Sequence, residues 1–215
     1  MDVQSTYDRI AEHFSKTREY AWPEVESFLE GRSVGRAADV GCGNGRHVET
    51  LADHATHVVG LDVSSGLLRE ATRRAIERGY EERSSFVHGD AAALPLRDEA
   101  VDLAVYVATI HHLDARSTRI RSLNELARVL RPDAPALVSA WSTAHDRFDR
   151  ADGFDTTVDW TLPGGETVPR FYHIYSPAEF EAELSESDLV AVDVRVSSGN
   201  CYGVVRGPTD RGTKG

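Results

Sequence analysis

The stretch DVGCGNGRH, Asp39 to His47, narrows the possible folds of this chain more than any other. A short apolar segment, RAADVG, leads into it, and VETLADH follows with helical character. Gly41, Gly43 and Gly45 let the backbone turn sharply after a strand and bring amide groups against a ligand at the start of a helix. A strand, a glycine turn and a helix in this order open a βαβ unit, and the rest of the chain continues the alternation.

THVVGLDVS reads as a second strand and SSFVHGD as a third, joined through the helix GLLREATRRAIERG, which Ser64 or Ser65 can cap and Gly79 ends. VDLAVYVATI is a near-continuous apolar run, as expected of a central parallel strand covered on both faces. STRIRSLNELARVLRP is an amphipathic helix stopped by Pro132, and APALVSAW is the fifth strand. A helix capped by Ser176 then precedes two closely spaced strands, VAVDVRVS and CYGVVRG, which add an antiparallel edge. The expected fold is α/β and Rossmann-like, a mostly parallel seven-stranded sheet with helices on both faces and ligands outside the carboxyl ends of the strands.

One domain is expected over residues 1–215. An N-terminal helical segment, 1–35, holds two helical patches, Asp2 to Phe14 and Trp22 to Glu30, with Pro23 in the first turn of the second. A ligand-binding core follows over 36–142. Residues 143–175 lack a clear period and read as a long acidic loop, and 176–215 supply the last helix and edge strands.

Composition sets the surroundings. With 40% apolar residues in 215, the chain can bury a sizeable core without disulfides or metal. Cys42 and Cys201 stand far apart and fall in no CxxC or Cys/His pattern, so neither a disulfide nor a metal site is expected, and a reducing cytoplasm fits best. No apolar leader or run of roughly 20 apolar residues is present, so no membrane association is expected. The net charge is −11, and only Lys16 and Lys214 are lysines among 24 basic residues. Such a balance suggests a salty cytoplasm, where the Debye length falls to roughly 3 Å at 1 M salt and an acidic protein can still meet a polyanion.

The glycine spacing is G-x-G-x-G, whereas a dinucleotide fingerprint needs G-x-G-x-x-G. Asp39, just before the turn, would face a pyrophosphate badly but could hold an ammonium, directly or through water. S-adenosylmethionine carries an ammonium, a sulfonium and no phosphate. Asp62 ends the second strand at the separation, about 20 residues, at which an acidic residue reaches ribose hydroxyls, and Asp90 ends the third, where it can accept from an adenine amine. Together these features make a class I methyltransferase with S-adenosylmethionine as its cofactor. Candidate donor contacts are Asp39, Gly41, Cys42, Gly43, Asn44, Gly45, Asp62, Val63, Asp90, Ala91 and Val107.

The segments YDRIAEHFSKTR and WP at the front, DVGCGNGRH, ATIHHLDARSTRIRSLNELARVLRP after the fourth strand, and RFYHIYSPAEF near the end resemble the tRNA wobble-uridine carboxymethyl methyltransferases. The resemblance implies methyl transfer to the carboxylate of 5-carboxymethyluridine in a tRNA anticodon loop. It also implies a heterodimer with a small zinc-binding activator subunit, placed along the strand at 85–88. Arg18 and His111 are the implied catalytic residues, and Tyr7, Trp22, His112 and Tyr172 join them in holding substrate. His13, Arg46 and Trp141 are left as structural residues, and His173 either lines the RNA side or pins the long loop. A tRNA surface would have to come from dispersed arginines such as Arg9, Arg18, Arg116, Arg119 and Arg170. The turn RPDAP stands where the family more usually has Gly-Gly, and 143–170 is acidic rather than basic. Two other readings stay open: a methyltransferase acting on a quinone-like small molecule, and a non-catalytic S-adenosylmethionine-binding scaffold.

Overall fold

The computed structural model describes residues 2–209; residue 1 and residues 210–215, Lys214 among them, lie outside the described residues. The helices are α1 (Val3–Thr17), α2 (Pro23–Leu29), α3 (Arg46–Leu51), α4 (Ser65–Arg78), α5 (Arg116–Val129) and α6 (Pro177–Glu186). The strands are β1 (Val34–Val40), β2 (Ala55–Asp62), β3 (Ser84–His88), β4 (Leu103–Val107), β5 (Pro135–Trp141), β6 (Phe154–Thr161), β7 (Thr167–Ile174), β8 (Val190–Ser197) and β9 (Asn200–Arg206).

Seven strands form one sheet in the order β3-β2-β1-β4-β5-β9-β8. The first five are parallel, and β9 and β8 add the expected antiparallel edge. The order reverses direction between β1 and β4, the switch point that opens a crevice at the carboxyl ends of such strands.

All five residues of β4 are buried, and successive side chains go to opposite faces. Ala104 and Tyr106 join an apolar cluster with Leu123, Leu126, Phe180 and Leu184 of α5 and α6. Leu103, Val105 and Val107 join another with Phe28, Leu29, Val48, Leu51 and Ala75 of α2, α3 and α4. Such double coverage explains the unbroken apolar run in the sequence.

Local signals set most boundaries. The Ser64 hydroxyl, not Ser65, accepts the Leu67 N–H at 3.1 Å and caps α4, and Gly79 ends that helix at φ 72°. The Ser176 hydroxyl accepts the Glu179 N–H at 3.1 Å at the start of α6. In the turn before β5, Asp133 takes φ 59°, a conformation tolerated by a short polar side chain where glycine would be at ease.

The stretch expected as one long acidic loop contains a hairpin instead. β6 and β7 pair antiparallel through eight register positions, from Phe154 opposite Ile174 to Thr161 opposite Thr167. Val158, Trp160, Val168, Tyr172 and Ile174 are its buried apolar residues, and Gly164 and Gly165 make the turn at positive φ. The hairpin stands apart from the main sheet and packs on α1 and the turn at 110–112.

A second correction concerns the arginines. Arg119 is 3% exposed and its guanidinium donates to Glu183 of α6 at 2.7 Å, so it belongs to the α5–α6 contact and not to an RNA surface. Arg170 is 7% exposed. Arg116 donates to Glu186 at 2.6 Å, and Arg9 is paired with Glu166.

Glu183 also accepts the Tyr175 hydroxyl at 2.8 Å, so either partner removed leaves a buried charge uncompensated. Glu183→Ala or Arg119→Ala is expected to lower unfolding free energy by about 3–5 kcal/mol. Urea titration checks this against Arg116→Ala, whose exposed pair with Glu186 is expected to leave the unfolding midpoint nearly unchanged.

Candidate active site

A cavity of about 710 Å³ opens at the carboxyl ends of β1, β2 and β4, with α1 and the β6–β7 hairpin over it. The glycine turn forms one wall. Gly41 and Cys42 donate their N–H groups to the Leu61 carbonyl at 2.7 and 2.8 Å, which bends the chain away from β1. Gly41 sits at φ 72°, and a Cβ there would lie 2.2 Å from the Thr109 hydroxyl oxygen. The close approach, not only the turn, demands glycine at this position.

Of the expected donor contacts, Gly41, Cys42, Gly43, Asn44, Asp62, Val63, Asp90, Ala91 and Val107 line the cavity. Asp39 and Gly45 stand behind its surface. Gly45, at φ 80°, starts α3 against Ala71. Asp39 is 1% exposed, neither of its carboxylate oxygens has a hydrogen-bond partner, and burial together with nearby Asp62 pushes its carboxyl up to about 8. An orphaned carboxyl beneath a glycine turn, held neutral by burial and ionised more readily beside a cation, fits an ammonium reached through water, the second of the two expected routes.

The Asp62 carboxylate accepts the Gly43 and Ser64 N–H groups, each at 2.8 Å, which fixes it at the cavity edge with lone pairs left for ribose hydroxyls. The Asp90 carboxylate accepts the Ala92 N–H at 2.8 Å. Its role as a turn cap and its place on the cavity wall are compatible. The residues present therefore fit S-adenosylmethionine: a buried acid for the ammonium, a fixed carboxylate for the ribose, and a glycine cradle between them.

Opposite this wall lies a hydrogen-bonded aromatic cluster. His111 and His112 occupy a 3-10 turn, Ile110–His112, directly after β4. The His112 Nδ1–H donates to the Phe171 carbonyl at 2.9 Å, so its Nε2 accepts the Tyr7 hydroxyl proton at 2.8 Å. His111 Nδ1 accepts the Trp141 N–H at 3.2 Å, which leaves the proton on Nε2. The His111 ring stacks on Tyr172 with centroids 4.7 Å apart. Burial pushes His112 down to about 4 and His111 well below the usual imidazole range, so both are neutral at pH 7. His112 thus has both nitrogens engaged, whereas His111 keeps one N–H for a ligand.

The leading segment is seated on the glycine turn. The Asn44 amide donates to the Arg18 carbonyl at 2.8 Å, and Phe14 would meet a Cβ on Gly43 at 3.6 Å. The Arg18 guanidinium lies 5.0 Å from the Trp160 ring centroid, on the cavity wall, and forms no ion pair among the described residues. Trp22 lines the same cavity and contacts Tyr202, with the Arg46 guanidinium over its ring at 5.6 Å.

Several wall residues escaped the sequence. His13, Arg46 and Trp141, left there as structural, all line the cavity, as do Thr109, His47, Trp160 and Arg170. The Trp160 indole N–H donates to His13 Nδ1 at 3.0 Å, tying the hairpin to α1. Burial and the charge of Arg18 push Arg46 down to about 10, a sign of how closely the cations are gathered. Tyr172 faces the cavity, while His173 turns away to Asp155 at 2.7 Å and Glu179 at 3.0 Å and pins the hairpin to α6. The alternation of Val158 and Trp160 with polar residues, the Gly164-Gly165 turn, and Val168, Arg170 and Tyr172 at every second position were the available signal for this wall.

Residues 38–138 match a family described as a methyltransferase domain. The tRNA (carboxymethyluridine(34)-5-O)-methyltransferase of Saccharomyces cerevisiae is 32% identical over 173 residues, 78% of this chain and 59% of that protein. The chain thus spans less than two thirds of that relative's length, and 33% of an Arabidopsis thaliana relative of the same description. Among solved structures, the fold is shared with the [4+2]-cyclase SpnF, at TM-score 0.74 and 19% identity over 97% of this chain and 96% of that one. It is shared also with a chain of the complex between the Haloferax volcanii Trm112 methyltransferase activator and a methyltransferase, at TM-score 0.71 and 16% identity, covering 98% of this chain and all of the other.

Gly41→Ala is expected to abolish binding of S-adenosylhomocysteine, measured calorimetrically, because the added methyl group meets Thr109 and the backbone stands at positive φ. The neutral histidines set a pH dependence. Between pH 6.5 and 4 the unfolded chain binds a proton at position 112 that the folded chain does not, so stability falls as pH falls, by up to about 1.4 kcal/mol per unit. Denaturant melts of wild type and His112→Gln at pH 7 and 5 check this. The variant is expected to lose less stability over that interval.

Proposed function

The chain carries a methyltransferase domain at residues 38–138, and from that premise we propose that the protein is an S-adenosylmethionine-dependent tRNA methyltransferase that esterifies the carboxylate of 5-carboxymethyluridine at the wobble position. The observation that carries this reading is Arg18, a cation without a carboxylate partner at the wall of the cavity that begins at the glycine turn. The name of the yeast relative supports the substrate class.

When bound, S-adenosylmethionine supplies a methyl group on a sulfonium, and its transfer to a carboxylate oxygen gives an ester and a neutral thioether with no proton moved. A carboxylate of pKa near 4 is more than ~99% ionised at pH 7, so no side chain has to act as a base. The neutrality of His111 and His112 accords with that. The chain's task is placement. Arg18 holds one carboxylate oxygen so that the other faces the methyl carbon, and its planar guanidinium suits the acid better than an ammonium would. The His111 Nε2–H, beside the end of β4, is the second contact. His112, Tyr7 and Tyr172 position His111. Esterification cancels the negative charge and weakens the hold of Arg18, which favours release.

The same reading gives the protein a small activator subunit as partner, cytoplasmic work and a salty interior. The outer side of β3 has no neighbouring strand among the described residues, and Phe86 and Val87 on it are only half-buried, so residues 85–88 offer a free strand edge to that subunit. The Haloferax volcanii complex, in which a chain of this fold is held with an activator, supports the pairing.

The test offers labelled donor with tRNA carrying 5-carboxymethyluridine, with the same tRNA carrying plain uridine, and with quinones, each with and without activator. Ester on the acid-bearing tRNA alone is the expected result. Label on quinones, or donor binding without any turnover, overturns the proposal. Arg18→Ala is expected to keep donor affinity and reduce methyl transfer by about ten- to hundredfold, the weight of a lost charge-assisted hydrogen bond. Unchanged turnover removes Arg18 from the site.

A further inference from the structure

Three arginines of the described residues are nine-tenths or more buried: Arg74, Arg119 and Arg170. Arg74 donates to Glu49 at 2.7 Å, and Arg119 to Glu183 at 2.7 Å. Arg170 forms no ion pair among the described residues. A guanidinium taken out of water without a counter-charge is costly, and native structures keep such a group where a ligand completes it.

The surroundings of Arg170 hold it in place without neutralising it. Its guanidinium carbon lies 4.9 Å from the Trp160 ring centroid and 5.1 Å from that of Tyr172, and one Nη donates to the Tyr7 hydroxyl at 3.4 Å. Ring faces and a phenol orient a guanidinium but cannot carry its counter-charge. Its Nε is buried with no hydrogen-bond partner. The residue lines the cavity, as does Asp159, an acid of the same hairpin that is exposed and not in ion-pair contact with it. Arg18 stands against the same indole at 5.0 Å, so Trp160 carries two guanidinium groups, one at the solvent side and one buried.

We propose that Arg170 is a substrate-binding and specificity-determining residue: a buried anion receptor whose cavity-lining guanidinium takes the acceptor's carboxylate from inside the cavity, with Arg18 closing on it from the mouth. This inference rests on the anionic acceptor of the proposed function and deepens it. The buried cation does what an exposed one cannot. In water Arg18 would attract any phosphate of an RNA, whereas Arg170 is reached only by an anion on a side group long enough to enter the pocket, which distinguishes an acid-bearing base from the backbone. A neutral amide of the same shape would leave Arg170 without its counter-charge and bind less well.

The experiment compares two anticodon stem-loop RNAs, one whose wobble uridine carries the carboxymethyl acid and one the neutral carbamoylmethyl amide, binding to the full chain saturated with S-adenosylhomocysteine. Wild type is expected to prefer the acid by about tenfold or more. Arg170→Gln is expected to bind both RNAs within about twofold of each other while binding S-adenosylhomocysteine as wild type does, and Arg170→Lys to recover part of the preference. An undiminished preference for the acid in Arg170→Gln overturns the inference. Should that variant fail to bind S-adenosylhomocysteine, the nitrogen-15 resonance of the Arg170 Nε in wild type decides: a shift on adding the acid RNA but not the amide RNA supports the inference, and no shift overturns it. Methyl transfer separates the two readings. Wild type and Arg170→Gln esterifying the acid RNA equally well would sink the role of Arg170 and leave the tRNA reading standing, whereas an Arg170-dependent preference without any esterification would leave the receptor and sink the tRNA reading.

Discussion

The Asp8 carboxylate fixes the geometry on which the candidate site depends. It accepts the Gly66 N–H at 2.6 Å and the Ser64 hydroxyl at 2.8 Å, at the start of α4, where a negative charge also meets the positive end of the helix. Gly66 makes the contact possible, since a Cβ there would stand 3.0 Å from the Ala11 Cβ and 3.1 Å from the Asp8 Cα. With α1 held this close, Tyr7 and Phe14 on the helix and Arg18 just past its end come over the crevice at the ends of β1 and β4.

The charge of the site is arranged against that of the molecule. The protein carries a net charge of −11, yet Arg18, Arg46 and Arg170 share one cavity. Asp39, Asp62 and Asp90 gather at the glycine-turn end with Arg46 beside them at the start of α3, and Arg18 and Arg170 stand at the α1 and hairpin end. A cationic donor and an anionic acceptor would each meet its complement, and the proposed reaction would bring those opposite charges together without a proton to move. Burial does part of this work. Kept neutral, His111 and His112 add hydrogen bonds without adding charge that would compete for the acid.

The likeness to the [4+2]-cyclase shows why the fold cannot decide the reaction. What separates one such protein from another is the wall opposite the donor, here built from α1, the turn at 110–112 and the hairpin. The hairpin was also the element hardest to read. Its strands alternate, but the outward positions carry Asp155, Asp159 and several threonines, and its buried face holds an arginine where an apolar residue would have marked it as packed. Read along the chain, it looked like solvated loop. Its reason to order is a cavity to roof and an indole for two cations, neither visible as a period.

By itself the sequence determined the parallel core, the glycine turn, Ser176 as a cap, the antiparallel edge and most of the cavity wall that begins at that turn, because each rests on a period, a cap or a turn within a few residues, whereas the choice of Ser64 over Ser65 as the cap of α4 needed the structure. Only the tertiary structure decided which arginines are spent and which are free. Arg119 meets Glu183 across 64 positions and Arg170 meets Tyr7 across 163. Charge pairing depends on neighbours through space, and a guanidinium reads the same in sequence whether a carboxylate waits beside it or an empty pocket does.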